Sequence, residues 1–169
     1  ISAQEEFFYP DMALAPLPAE LHLAMPRNGR PGVQLLVETD EPRLTASLES
    51  ADFTPEFFCE LAVPVEYNTG DGVEQGGSMV LESRPAQKPS YATRLAPFAV
   101  YDCLKPAPGG HIEAENGRAA LYLCLCPRPD IRPGEHHALL RLGAYCCRLV
   151  IRVYGVEIPQ DAFPVTNWF

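Results

Sequence analysis

Apolar and polar positions alternate with a period of two along much of this chain. Leu21, Leu23 and Met25 alternate with His22 and Ala24, and Leu44, Ala46 and Leu48 alternate with Thr45, Ser47 and Glu49. That spacing puts one side of each segment on a core and the other in water, the pattern of a half-buried strand. Val33–Glu38 follows the turn-rich stretch Arg27-Asn-Gly-Arg-Pro-Gly32 and reads as another strand. Phe57–Glu66 is a longer apolar run that carries Pro64, which predicts an edge or bulged strand. Met79–Glu82 and Leu95–Leu104 are further candidates, the latter bounded by Pro97 and Pro106. In Ala119–Cys126, Leu121, Leu123 and Leu125 face one way and Tyr122, Cys124 and Cys126 the other. Both faces are apolar, which predicts a central strand. Pro127–Gly134 then crosses to a hairpin of His137–Leu142 and Tyr145–Tyr154 around Gly143-Ala144.

Eighteen prolines and twelve glycines leave few windows for a helix. Ser2–Phe8 is the exception: Ser2 as N-cap with Glu5 three residues on predicts one or two helical turns. Asn68–Gly72 and Gln75–Gly77 punctuate a loop. Eight to ten short strands separated by turns predict an all-β fold. The expected form is an antiparallel β-sandwich of immunoglobulin-like or related Greek-key topology. The sandwich is expected over residues 1–159, with 160–169 a linker toward a further domain. Its apolar residues Phe163, Val165, Trp168 and Phe169 are the expected interdomain contacts.

Composition narrows the partners. The 169 residues carry a formal net charge of −9, and the only lysines are Lys88 and Lys105. A phosphate backbone or an anionic membrane needs clustered basic residues, so neither nucleic acid nor membrane is an expected partner. No apolar run approaches the roughly 20 residues of a membrane span. Six cysteines, at 59, 103, 124, 126, 146 and 147, lie mostly in apolar strand-like runs. Buried free thiols are the expectation, leaning toward a reducing compartment such as the cytoplasm, with one bridge between neighbouring strands as the alternative.

Candidate chemistry is sparse. Cys124-x-Cys126 with Cys146-Cys147 lacks the spacing of common zinc ribbons. On strands the first two share a face and the second two diverge, so core packing is the default reading. His136-His137 and His111 have no partner fixed by spacing. Asp40-Glu41 and Glu113/Glu115 lie in loop-like contexts and form no recognisable facing pair of the kind glycosidases use. No nucleophile elbow and no phosphate-cradling loop occurs. Exposed Tyr67, Tyr91, Tyr101 or Tyr122 would offer a face for stacking a sugar, although strand aromatics more often fill cores. No catalytic residue, cofactor or metal is expected.

Three stretches together carry a resemblance: Leu21–Val37, Leu121–Glu135, and Val150–Pro159 followed by Phe163–Phe169. In that order they resemble the N-terminal β-sandwich domain of bacterial glycoside-hydrolase-like proteins of the N-acetylgalactosaminidase type, in which the sandwich precedes a (β/α)8 catalytic barrel. The Gly29-Arg-Pro-Gly32 turn departs from that pattern. The resemblance implies a non-catalytic accessory module packed on a barrel of the same polypeptide. A carbohydrate-binding module, or an adhesion or assembly sandwich, is the alternative.

Overall fold

The computed structural model describes residues 2–3, 7–16, 18–66 and 93–159, with side chains from Phe7 onward. Ten strands are described: β1 Ser2–Ala3, β2 Glu20–Pro26, β3 Gly32–Glu38, β4 Arg43–Glu49, β5 Phe53–Val65, β6 Phe98–Pro106, β7 His111–Glu113, β8 Arg118–Pro127, β9 Gly134–Leu142 and β10 Tyr145–Tyr154. They form two five-stranded sheets, ordered β1-β3-β8-β5-β6 and β2-β10-β9-β4-β7. The chain changes sheet at nearly every step from β2 to β9, the interleaving of a sandwich rather than a meander. No α-helix occurs among the described residues; a single 3-10 turn spans Pro108–Gly110.

The alternation read from the sequence sets the core. Leu21 and Met25 of β2, Leu44 and Ala46 of β4, Leu121, Leu123 and Leu125 of β8, Leu140 and Leu142 of β9, and Leu149, Ile151 and Val153 of β10 converge between the sheets. The second sheet turns its other face to water. There Arg141 meets Glu49 and Arg148 meets Glu20, pairs exposed enough to contribute about 0–1 kcal/mol each.

The first sheet behaves differently. Its outer face carries a second small core of Phe8, Leu36, Tyr101 and Ala120, with Met12, Leu14 and Ala62 packed against it. Residues 7–16 cover that face. Phe8 bridges to Tyr101, whose N–H donates to the Phe8 carbonyl at 2.9 Å. Arg118 donates to the Met12 carbonyl at 2.7 Å. Arg94 pairs with Asp11 and lies over the Tyr9 ring, 4.8 Å from its centroid. β8 is therefore central, as its two apolar faces predicted, with β3 on one side and β5 on the other.

Several expectations are corrected. Ser2–Ala3 is not helical but adds an edge strand, pairing with Leu36 and Leu35. One or two isolated helical turns are marginal in water, and a ladder to an existing strand satisfies the same backbone groups. The expected all-β sandwich holds, its sheets antiparallel except where β2 runs parallel to β10, from Glu20↔Arg148 to Pro26↔Tyr154. That register lays Leu21, Leu23 and Met25 beside Leu149, Ile151 and Val153 on the core side. β5 starts at Phe53 and is not an edge strand; its first half pairs with β8 and its second half only with β6. The irregularity expected in this run lies at Leu61/Ala62, where Asp102 is the unmatched residue on β6. Pro64 falls where β8 no longer pairs, so its missing N–H costs no ladder bond on that side. β6 starts at Phe98, one residue past Pro97, and runs on to Pro106. Met79–Glu82, the loops at 68–77, and Phe163, Val165, Trp168 and Phe169 lie outside the described residues.

One glycine fixes how the 3-10 turn meets the second sheet. Gly110 is buried with φ +71°, and a Cβ there would stand 2.0 Å from the Ala46 carbonyl oxygen. Only glycine permits that approach, which delivers β7 to the edge beside β4.

Leu123 is fully buried at the middle of β8. Leu123→Ala is expected to destabilise the fold by roughly 2–5 kcal/mol in denaturant unfolding. A loss within about 0.5 kcal/mol, as for a surface position, would contradict this placement.

Candidate functional site

Where β5 parts from β8, the sandwich opens into a cleft of about 620 Å³. β5 supplies Cys59, Glu60 and Leu61; the strand pair β7–β8 supplies Glu113, Glu115 and Arg118; Arg43 of β4 and Tyr101 of β6 complete much of the wall. The β7–β8 connection is an Asn116-Gly117 turn with φ of +52° and +76°. Glu115 and Arg118 exchange backbone hydrogen bonds of 2.8 and 3.0 Å across it. This is the two-residue hairpin turn that Asn-Gly favours, because both central residues need positive φ.

Glu60 is the unusual member. Its residue is 4% exposed, both carboxylate oxygens are shielded from solvent, and Gln34 is the polar side chain beside them. Alternation along β5 puts Cys59 in the inter-sheet core and so turns Glu60 to the outer face, under the second core. Burial pushes its carboxyl up to about 7; Gln34 draws it down, and the charge of Asp102 adds to the rise. The Glu60 carboxylate oxygens are shielded from solvent, so the groups a ligand could reach are those around it. With two guanidinium groups and two more carboxylates in the same cleft, the lining offers hydrogen-bonding groups of both kinds without one dominant charge. Such a lining suits a hydroxyl-rich ligand better than a highly charged one.

The sequence-derived candidates are distributed as follows. Glu113 and Glu115 stand at the cleft, and Lys105 Nζ meets Glu113 at 3.2 Å. Asp40 and Glu41 lie in the exposed β3–β4 loop. His111 begins β7, with its side chain exposed. His136 has partners that spacing did not reveal: its Nδ1 is 2.8 Å from Asp52 and its Nε2 is 2.8 Å from the Arg132 carbonyl. The Asp52 hydrogen bond raises its pKa, opposed by burial. Both partners are acceptors, so the imidazolium satisfies both and the neutral ring only one. His136 also sits edge-on to Phe53. It is a tie between the β4–β5 turn and β9.

All six cysteines are free thiols. Cys59 and Cys147 are buried in the inter-sheet core, where burial raises both thiols. Cys146 is exposed on the second sheet, so the pair at 146–147 diverges and lies on a different sheet from Cys124 and Cys126. Tyr101 is 8% exposed in the second core, and so is not a sugar platform. Tyr122 is half-buried and tilted against Phe58. Tyr67, Tyr91 and Trp168 lie outside the described residues. Glu60 was missed because a glutamate within an apolar strand run gives no sign of which neighbours will cover it. The Asn116-Gly117 signal was present in the sequence.

No protein-family profile matches this sequence, and no curated protein matches it. Among solved structures, the fold is similar to that of a family 123 glycoside hydrolase from Clostridium perfringens, studied for glycolipid glycan hydrolysis, with a TM-score of 0.58 and 12% identity. The similarity covers 94% of this chain and 28% of that one. It shows a shared β-sandwich fold.

Glu60→Gln tests the buried carboxyl. The folded-state pKa lies above the ordinary 4.5, so folding binds a proton. The stability from that proton is complete below about pH 4.5 and is lost as pH rises through about 7. At about pH 8 the wild type buries a charge that Gln does not, so the variant is expected to be more stable by roughly 1–3 kcal/mol. At about pH 5 the advantage should nearly vanish. Denaturant unfolding at both values checks it; an equal effect at both would contradict the account.

Proposed function

We propose that this chain is a non-catalytic β-sandwich module of a glycoside-hydrolase-like protein, packed on a catalytic barrel of the same polypeptide. One observation carries the reading: the fold likeness spans 94% of this chain but only 28% of the hydrolase. A unit that spans nearly all of this chain and about a quarter of the hydrolase chain has the proportions of an accessory domain.

The surface after β10 supports the same reading. Tyr154, Val156 and Ile158 are 52%, 63% and 62% exposed. Their backbone is nonetheless held. Arg27 N–H donates to the Val156 carbonyl at 2.8 Å, and Asn28 bonds both the carbonyl and the N–H of Ile158, at 2.8 and 2.9 Å. Arg27 also pairs with Glu157 at 2.6 Å. Apolar side chains presented on a fixed backbone suit burial against another surface, since little conformational freedom remains to be lost. In this proposal the contact continues through Phe163, Val165, Trp168 and Phe169.

Direct carbohydrate binding is the second reading, and the mixed lining of the Glu60 cleft is what favours it. An aromatic platform does not. Among the described residues the exposed tyrosines of β10, Tyr145 and Tyr154, are nine residues apart, or about 30 Å along a strand, too far to stack one short glycan.

The purified chain is expected to leave aryl N-acetylhexosaminides at the background rate. Titration with N-acetylgalactosamine-containing oligosaccharides should shift no cleft resonances in its NMR spectrum. Turnover abolished by replacing one Asp or Glu of this chain would overturn the non-catalytic reading. Saturable shifts confined to the Glu60 cleft would establish the carbohydrate-binding reading instead.

A further inference from the structure

Cys124 and Cys126 differ from the buried cysteines in their setting. They sit two apart on β8 and share its outer face, half-buried rather than enclosed in the core. The register of β5 sets Glu56 directly opposite Cys124 and Thr54 opposite Cys126. Both sulfurs and a Glu56 carboxylate oxygen lie within 4.8 Å of one another. On the other flank, β3 places Gly32 opposite Cys124, so no side chain comes from that position to fill the space beside the thiol. The Tyr122 phenol extends over Gly32 instead, where a Cβ would stand 2.1 Å from its oxygen. β8 pairs with β5 at both cysteines and with β3 as far as Cys124, which holds the backbone between them.

We propose that Glu56, Cys124 and Cys126 form a zinc-binding site on the outer face of the first sheet. Two sulfurs and one carboxylate oxygen are a ligand set for a thiophilic divalent cation and a poor one for calcium or magnesium, which take oxygen. Tetrahedral zinc, with bonds of about 2.3 Å to sulfur and about 2.0–2.2 Å to oxygen, needs its ligands roughly 3.5–3.8 Å apart. The three atoms are close enough for side-chain rotation alone to close that distance. Binding releases the protons of two thiols and leaves one net negative charge on the zinc, two thiolates and a carboxylate. Arg30, whose guanidinium is 3.7 Å from Glu56, stands beside that charge. Three protein ligands leave the fourth position for water or an incoming donor, on the side where Glu56 is exposed.

The test uses the whole chain with its thiols fully reduced. Zinc titration by calorimetry should give one equivalent bound and a rise in melting temperature. Cobalt(II) in its place should show thiolate-to-metal charge-transfer absorption with the intensity of two thiolates. Cys124→Ser with Cys126→Ser should remove both signals. Glu56→Gln, an exposed substitution that leaves the fold intact, should weaken zinc by at least about tenfold. Cys146→Ser, on the other sheet, should change nothing. Absence of stoichiometric zinc binding by the reduced wild type overturns the proposal. So does binding that survives the double substitution or is lost on Cys146→Ser.

Discussion

The structure depends on burying both faces of one strand. β8 places Leu121, Leu123 and Leu125 in the core between the sheets and Ala120, Tyr122, Cys124 and Cys126 on the opposite side. A strand apolar on one face needs only one partner layer. This strand needs two, and residues 7–16 supply part of the second by laying Phe8, Met12 and Leu14 on Leu36, Ala120 and Tyr101. The contrast with the second sheet follows. Its outer face carries cross-strand ion pairs and can remain in water, whereas the outer face of the first sheet cannot.

Covering a sheet face that is not wholly apolar traps polar groups, and these are the chemically notable features of the molecule. Glu60 shares the outer face with Ala62 and is buried there, so its carboxyl resists ionisation until about pH 7. Farther along the same strands the cover thins, and Cys124 and Cys126 meet Glu56 where solvent reaches them. Burial pushes the Cys126 thiol up to about 11, with Glu56 beside it adding to the rise. The cleft and the thiol cluster are thus two outcomes of one architectural choice, separated by a few residues of β5 and β8.

Much of the fold was legible because it is written with period two. The inward positions of β2, β4 and β8, the central place of β8 and the β9–β10 hairpin all follow from alternation and turn residues. Non-local choices were not legible. The parallel pairing of β2 with β10 joins segments over a hundred residues apart, and no local signal specifies direction. The edge pairing of Ser2–Ala3 defeated a local capping pattern that tertiary structure outbid. The site was less legible still. Glu56 and Cys124 are adjacent only through register, as are Asp52 and His136 through the approach of a turn to a strand, and a single sequence carries neither. Cys124 and Cys126 were rightly placed on one face, but their third neighbour was not foreseeable from spacing.

The claim that the outer cover is structural, and not a loose flap, has a direct measurement. Phe8 is fully buried on the outer face, far from the core between the sheets. Unfolding of Phe8→Ala in denaturant should show a loss of roughly 3–5 kcal/mol, comparable to a core aromatic truncation. A loss within about 0.5 kcal/mol would mean that β8 is buried on one face only, and that the environment assigned to Glu60 is wrong.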